Sequence, residues 1–180
     1  SSLREVTVTG GNILYGAFYN CSGLTSVTIG DSVTSIGDRA FYYCTGLTEI
    51  NWNAVSVADF DSGSDVFYKA GTADDGIAVT FGESVEKIPA YLFYISNASD
   101  RPNIKSVTIG SNVTSIGDDA FYGCKGLTSV TIPDSVTSIG GYAFYNCTGL
   151  TSVYYTGDIA GWCGISGLGN VLSGGRTLYI

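Results

Sequence analysis

Apolar residues recur at positions 1, 4 and 6 of a segment that the chain writes three times with few changes. Leu24 to Gly46 reads LTSVTIGDSVTSIGDRAFYYCTG, Ile104 to Gly126 reads IKSVTIGSNVTSIGDDAFYGCKG, and Leu127 to Gly149 reads LTSVTIPDSVTSIGGYAFYNCTG. In the first copy Leu24, Val27 and Ile29 alternate with Thr and Ser. This predicts a strand with apolar side chains inward and Ser26 and Thr28 outward. Gly30-Asp31 forms a turn, and Pro133-Asp134 replaces it in the third copy. The chain then extends through Val33 to Ile36, with Val33 and Ile36 pointing in. Gly37-Asp38 opens a predicted short helical segment, Arg39 to Cys44, with Asp38 as its N-cap. Ala40 and Phe41 face the core. Gly46, Gly126 and Gly149 end the segment, where a left-handed cap suits glycine.

A single unit of this size buries too little apolar surface to offset the ordering of its own backbone. A fixed period of this kind therefore predicts a stack, each unit one coil of a solenoid. Neighbouring coils would lie about 4.7–4.9 Å apart, the strand spacing of a sheet. The expected fold is an α/β solenoid, a right-handed superhelix of about seven coils, each with strand, extended arm and short helix. Residues 1–180 form one domain, with coils starting near Leu3, Leu24, Leu47, Gly76, Ile104, Leu127 and Leu150.

Four of these coils are irregular. Leu3 to Gly23 is a shortened copy whose strand holds Leu3, Val6 and Val8, and whose helical arm holds Ala17, Phe18 and Cys21. The third coil places Trp52 where the others hold isoleucine, and is rewritten from Asn53 to Asp65. The fourth puts Val79, Phe81, Val85, Ile88, Leu92 and Phe93 inward, and 97–103 reads as a surface loop. The seventh departs after Tyr155 into a short helix that buries Ile159 and Trp162, with Cys163 buried beside the tryptophan. Glycine-rich 164–175 is expected to be mobile, and Thr177 to Ile180 opens a further strand.

Sixteen acidic and eight basic residues give a formal net charge of −8, and the basic residues are scattered. Nucleic acid is thereby disfavoured as a partner, because phosphate contacts need clustered Lys and Arg. No apolar run approaches the roughly 18 residues of a membrane helix. The chain contains no methionine, so Ser1 is expected to be an internal position of a longer protein. A signal peptide and an anchor would then lie outside it.

The motif LTSVTIPDSVTSIGDxAFYxCTG resembles the BspA-like leucine-rich repeats of bacterial surface proteins, closely over 24–52 and 104–155 and loosely elsewhere. The resemblance implies a secreted or surface-anchored protein whose roles include adhesion to host proteins and other cells. It implies no catalytic residue.

Cys21, Cys44, Cys124 and Cys147 share one repeat position. They read as a ladder of buried thiols behaving as small hydrophobes, and side chains pointing the same way from parallel coils are poorly placed for disulfides. With no histidine and no CxxC, a metal site is not expected. The glycines sit outside any phosphate-loop motif. Asp31, Asp38, Asp118, Asp119 and Asp134 fall on turns and helix starts, where Asp is locally useful, and no catalytic pair emerges. The expectation is no enzyme and no cofactor. Tyr42, Tyr68, Tyr94, Tyr122 and Tyr145 follow the core aromatic residue and line the outer arm, either as a recognition surface or as cover for the gaps between coils.

The concave strand face is mostly hydroxyl: Ser26, Thr28, Ser106, Thr108, Ser129 and Thr131. Different chemistry appears at Glu5, Glu49, Asn51, Lys105 and Tyr154, which are the candidate binding residues, since solenoids commonly bind through this face. The leading function is extracellular binding of a host or neighbouring-cell protein or glycan by a monomer. A structural spacer presenting another domain is the alternative. A third, remote reading is binding of an ice or crystal surface by the threonine rows.

Overall fold

A computed structural model describes residues 2–73 and 76–180; Ser1, on which the internal-position expectation falls, lies outside them. The strands are β1 Glu5–Ile13, β2 Ser26–Ile36, β3 Glu49–Trp52, β4 Ile77–Phe81, β5 Lys87–Ile88 and β6 Ile104–Ile109. They continue with β7 Ser115–Ile116, β8 Ser129–Ile132, β9 Ser138–Ile139, β10 Ser152–Tyr155 and β11 Thr177–Tyr179. Every pairing among them is parallel and joins the same repeat position in successive units: Val27 lies beside Ile50, Ile50 beside Val79, and Val79 beside Val107. The strand face runs β1-β2-β3-β4-β6 and then β8-β10-β11, while β5-β7-β9 forms a second narrow sheet. This is the stacked α/β repeat fold expected from the pattern.

The core lies where positions 1, 4 and 6 converge. Leu24, Val27, Ile29, Ile50, Trp52, Leu127 and Ile132 are fully buried, as are Ala40 and Phe41. The predicted inward residues of the fourth coil are buried too. Leu3, placed in a strand by the pattern, precedes β1 and is exposed.

The arm from Arg39 to Cys44 is not a helix. It is a run of turns in which alternate amides serve two masters. Ala40, Tyr42 and Cys44 donate to the carbonyl three residues back, at 3.1–3.2 Å. Arg39, Phe41 and Tyr43 donate to Ser64, Val66 and Tyr68 of the next coil, at 2.9–3.0 Å. An α-helix would aim all its amides along its own axis toward the preceding turn, and not sideways at a neighbour. Lateral bonding between coils wins, and it draws Arg39 and Tyr43 into left-handed backbone at φ 57° and 59°. Asp38 therefore caps no helix. At the same position Asp118 accepts the Gly141 amide of the following coil at 2.6 Å.

Nor are Gly46, Gly126 and Gly149 left-handed caps, since none has positive φ. Glycine is needed there for close approach. A β-carbon on Gly46 would stand 2.5 Å from the Ser22 carbonyl oxygen, and one on Gly126 2.8 Å from that of Ile104. Real contacts of that kind do not occur, so the repeat spacing itself selects glycine.

The seventh coil keeps an α-helix, α1 (Ile159–Gly164), capped by Asp158, whose carboxylate accepts the Gly161 amide at 2.8 Å, and a 3-10 turn at Leu168–Asn170. Trp162 is buried against Tyr155, but Ile159 and Cys163 are exposed, contrary to expectation. On six residues only one side of the helix reaches the core, and Trp162 fills it. The glycine-rich segment expected to be mobile is tied down at its end. Arg176 donates to the carbonyls of Asn170, Val171, Phe144 and Cys147, capping acceptors at the end of the outer arm. Loop 97–103 is exposed from Asn97 to Ser99, yet it turns Asp100 inward.

Candidate binding surface

Strand alternation and parallel register convert the repeat into two rows of side chains on the strand face. One row runs Glu5, Ser26, Glu49, Ala78 and Ser106, and resumes as Ser129, Ser152 and Thr177. The other runs Thr7, Thr28, Asn51, Thr80 and Thr108, and resumes as Thr131, Tyr154 and Tyr179.

The five candidate residues do not form one group. Glu5, Glu49 and Asn51 come together on β1 and β3, with Ser26 between the two carboxylates. Asn51 donates from Nδ2 to Glu49 Oε1 at 2.8 Å, so the pair presents a fixed amide and carboxylate side by side. Lys105 stands apart on β6. It is exposed and has no partner in β4, because the register slips between Ile77 and Ala78 and leaves it as a bulge. Tyr154 lies on β10 at the far end, stacked on Tyr179 with ring centroids 4.7 Å apart and planes at 16°. Tyr179 was missed from the sequence. Its signal was present, since Thr177 to Ile180 reads as a strand and puts Tyr179 at the repeat position of Tyr154.

The outer arm carries aromatic ladders. Phe18, Phe41, Phe67, Phe93, Phe121 and Phe144 stack coil upon coil at 5.2–5.8 Å. Outside them Tyr19, Tyr42 and Tyr68 form one stack, and Tyr94, Tyr122 and Tyr145 another. Ring faces meet in the first stack and between Tyr122 and Tyr145, while Tyr94 is tilted 52° to Tyr122, and Tyr19 and Tyr145 at the two ends stay exposed. That arrangement favours the reading of tyrosines as cover between coils. At the gap between the stacks Lys69 Nζ lies 3.2 Å from Asp100 Oδ1 and over the rings of Tyr43 and Tyr68. The hydrogen bond from the Tyr68 hydroxyl, reinforced by Lys69, holds the Asp100 carboxyl below its usual range, and the same bond, with burial, pushes the phenol up.

The thiols of Cys44 and Cys147 donate to the carbonyls of Phe18 and Phe121, at 3.2 and 3.1 Å. Burial pushes Cys44 up to about 12 and Cys147 up to about 11, and drives the Cys124 thiol well above its ordinary value. These groups stay protonated at neutral pH and serve as small core residues, not nucleophiles. Among the described residues no cluster of three or more His, Cys, Asp or Glu is placed to hold a metal ion. A shallow groove of about 480 Å³ follows the narrow sheet past Lys87, Ser115, Ser138 and Asp118. Asp59 on its rim pairs with Lys87 at 2.6 Å and accepts the Ala90 amide at 2.8 Å. Partial burial opposes ionisation there, but these two donors outweigh it and hold the carboxyl below its ordinary range.

The family model for the BspA type leucine rich repeat region matches residues 11–101 and 99–160 in six copies. The chain belongs to that family. Among solved structures, this BspA-type chain is similar to a leucine rich cell surface protein from Faecalibacterium prausnitzii A2-165, at 24% identity and a TM-score of 0.50. The match covers 86% of this chain and 48% of that one. A leucine rich repeat protein of T. pallidum is similar at 23% identity and a TM-score of 0.46, over 86% of this chain and 59% of its own. The chain thus spans about half the length of these relatives. No curated protein matches it. No helix among the described residues is long and apolar enough to cross a membrane.

Proposed function

We propose that this chain is a non-catalytic binding module of a bacterial surface or secreted protein, engaging a protein or glycan through its strand face. The observation that carries the reading is the Glu49–Asn51 pair with neighbouring Glu5. Ser and Thr fill most of the face, and this cluster breaks the pattern with fixed donors and acceptors. Membership of the BspA-type family supports a binding role, and the F. prausnitzii protein is described as a cell surface protein. Neutral glycans and basic protein surfaces suit a chain of net charge −8 better than anionic ligands do.

Glycan arrays and pull-downs from host extracellular material test the proposal. Glu49→Lys is expected to abolish a hit while leaving the circular-dichroism spectrum and melting curve intact. Retention of every hit by that variant would remove the face from the account. A spacer role is favoured by the regular hydroxyl rows, which have no distinctive chemistry of their own. If the chain is a spacer, binding by the parent protein follows the number of coils and ignores Glu49→Lys.

A further inference from the structure

The strand face is interrupted at one place, between β6 and β8. Every other pair of successive strands on that face forms a parallel ladder, but these two lie side by side without one. Two features of the sequence meet at the break, and neither is found together with the other at any other junction of this face. After β3, β4 and β10 the next residue donates its amide to the preceding coil: Asn53 to Ile29, Gly82 to Trp52 and Thr156 to Ile132, at 2.8–3.2 Å, whereas Gly110 after β6 makes no such bond and β6 still pairs with β4. After β8 that position is Pro133, which has no N–H to give. At the other end, Thr25, Thr48 and Thr151 each donate both amide and hydroxyl to a carbonyl of the preceding coil. Thr128, their counterpart, makes neither bond, because the residue it would reach is the bulged Lys105.

The core registers the gap. Val107 and Ile109 on β6 are each 9% exposed, whereas Val130 and Ile132 on β8 are 1% and 0%. The outer arm is unbroken across the same junction. Asp119, Phe121 and Gly123 donate to Gly141, Ala143 and Tyr145 at 2.8–2.9 Å, Phe121 stacks on Phe144 at 5.2 Å, and β7 pairs with β9.

A junction laced on one side and unlaced on the other is a hinge. We propose that the stack flexes at this seam, opening and closing the strand face between β6 and β8 while the outer arm acts as the pivot. The Glu5, Glu49 and Asn51 cluster lies on one side and the Tyr154–Tyr179 pair on the other. Flexing changes their separation, and a ligand touching both selects one opening.

Spin labels on the 180-residue chain test this, with Cys21→Ser and Cys163→Ser leaving only the buried thiols. Labels at Thr80→Cys and Tyr154→Cys span three junctions including the seam. Labels at Thr7→Cys and Thr80→Cys span three junctions without it. Strand spacing puts either pair roughly 15 Å apart. The pair across the seam is expected to give a distance distribution at least twice as broad, and Pro133→Gly, which restores the missing donor, should narrow it. Equal widths in the two pairs overturn the hinge. A broad distribution untouched by Pro133→Gly overturns the assignment of the proline as its cause. Hydrogen exchange on the unlabelled chain gives an independent reading. The peptide 127–133 is expected to exchange at least tenfold faster than 150–156, and equal protection contradicts the proposal.

Discussion

At the scale of single residues, side chains are chosen by what stands one coil away. Phe121 touches Phe93 on one side and Phe144 on the other, so its loss opens both contacts. Phe121→Ala is expected to cost about 3–5 kcal/mol in urea unfolding. Gly46→Ala forces a methyl onto the Ser22 carbonyl and should cost about 1–3 kcal/mol, although alanine is the better residue for a helix. Had the arm been the predicted helix with a left-handed cap, the size of that loss would instead follow from a positive φ at Gly46. The buried thiols set a further expectation. Their folded-state pKa values lie above the ordinary value of 9.0, so the stability they confer is complete below about pH 9 and falls as pH rises toward the folded values near 11 and 12. A melting series from pH 8 to 11 should show that decline, and Cys44→Ala with Cys147→Ala should make it shallower, leaving the part due to Cys124 and to Tyr42, Tyr68 and Tyr91, which are raised as well.

At the scale of elements, sequence reasoning succeeded where one period decides the outcome. Strand alternation put Val27 and Ile29 in and Ser26 and Thr28 out, and no other arrangement buries the apolar set. It failed where two hydrogen-bonding schemes compete for the same amides. AFYYC has the look of a short helix when read alone, and only the neighbouring coil's carbonyls turn it into alternating turns. The same limit applies to Ile159 and Cys163, because six residues beside a bulky Trp162 leave room for one inward side chain. At the seam a proline and a bulge stand in adjacent units. Pro133 was visible in the sequence, but the slip that strands Lys105 arises from the missing residue in β4 and appears only on pairing.

At the scale of the whole molecule, the chain behaves as a line of coils in which each contacts only its neighbours. The strand face therefore presents chemistry in order along an axis, with an acidic and amide cluster near one end, hydroxyl rows between, and an aromatic pair at the other. The cluster was legible because its residues break a repeated Ser/Thr text. The pairing of Tyr154 with Tyr179 was harder to read: the strand at 177–180 carries it, but the arm between the two units has lost the repeat that sets the register. The outer arm repeats one aromatic chemistry from coil to coil, whereas the strand face changes chemistry along its length.

The decisive measurement compares Glu49→Lys on the strand face with Tyr145→Ser on the outer arm, each first shown folded by its melting curve, in the same glycan array and extracellular pull-down. Loss of signal by more than tenfold in the first and none in the second is the result expected here. Full signal from Glu49→Lys with loss in Tyr145→Ser would place recognition on the opposite side of the stack and contradict the account.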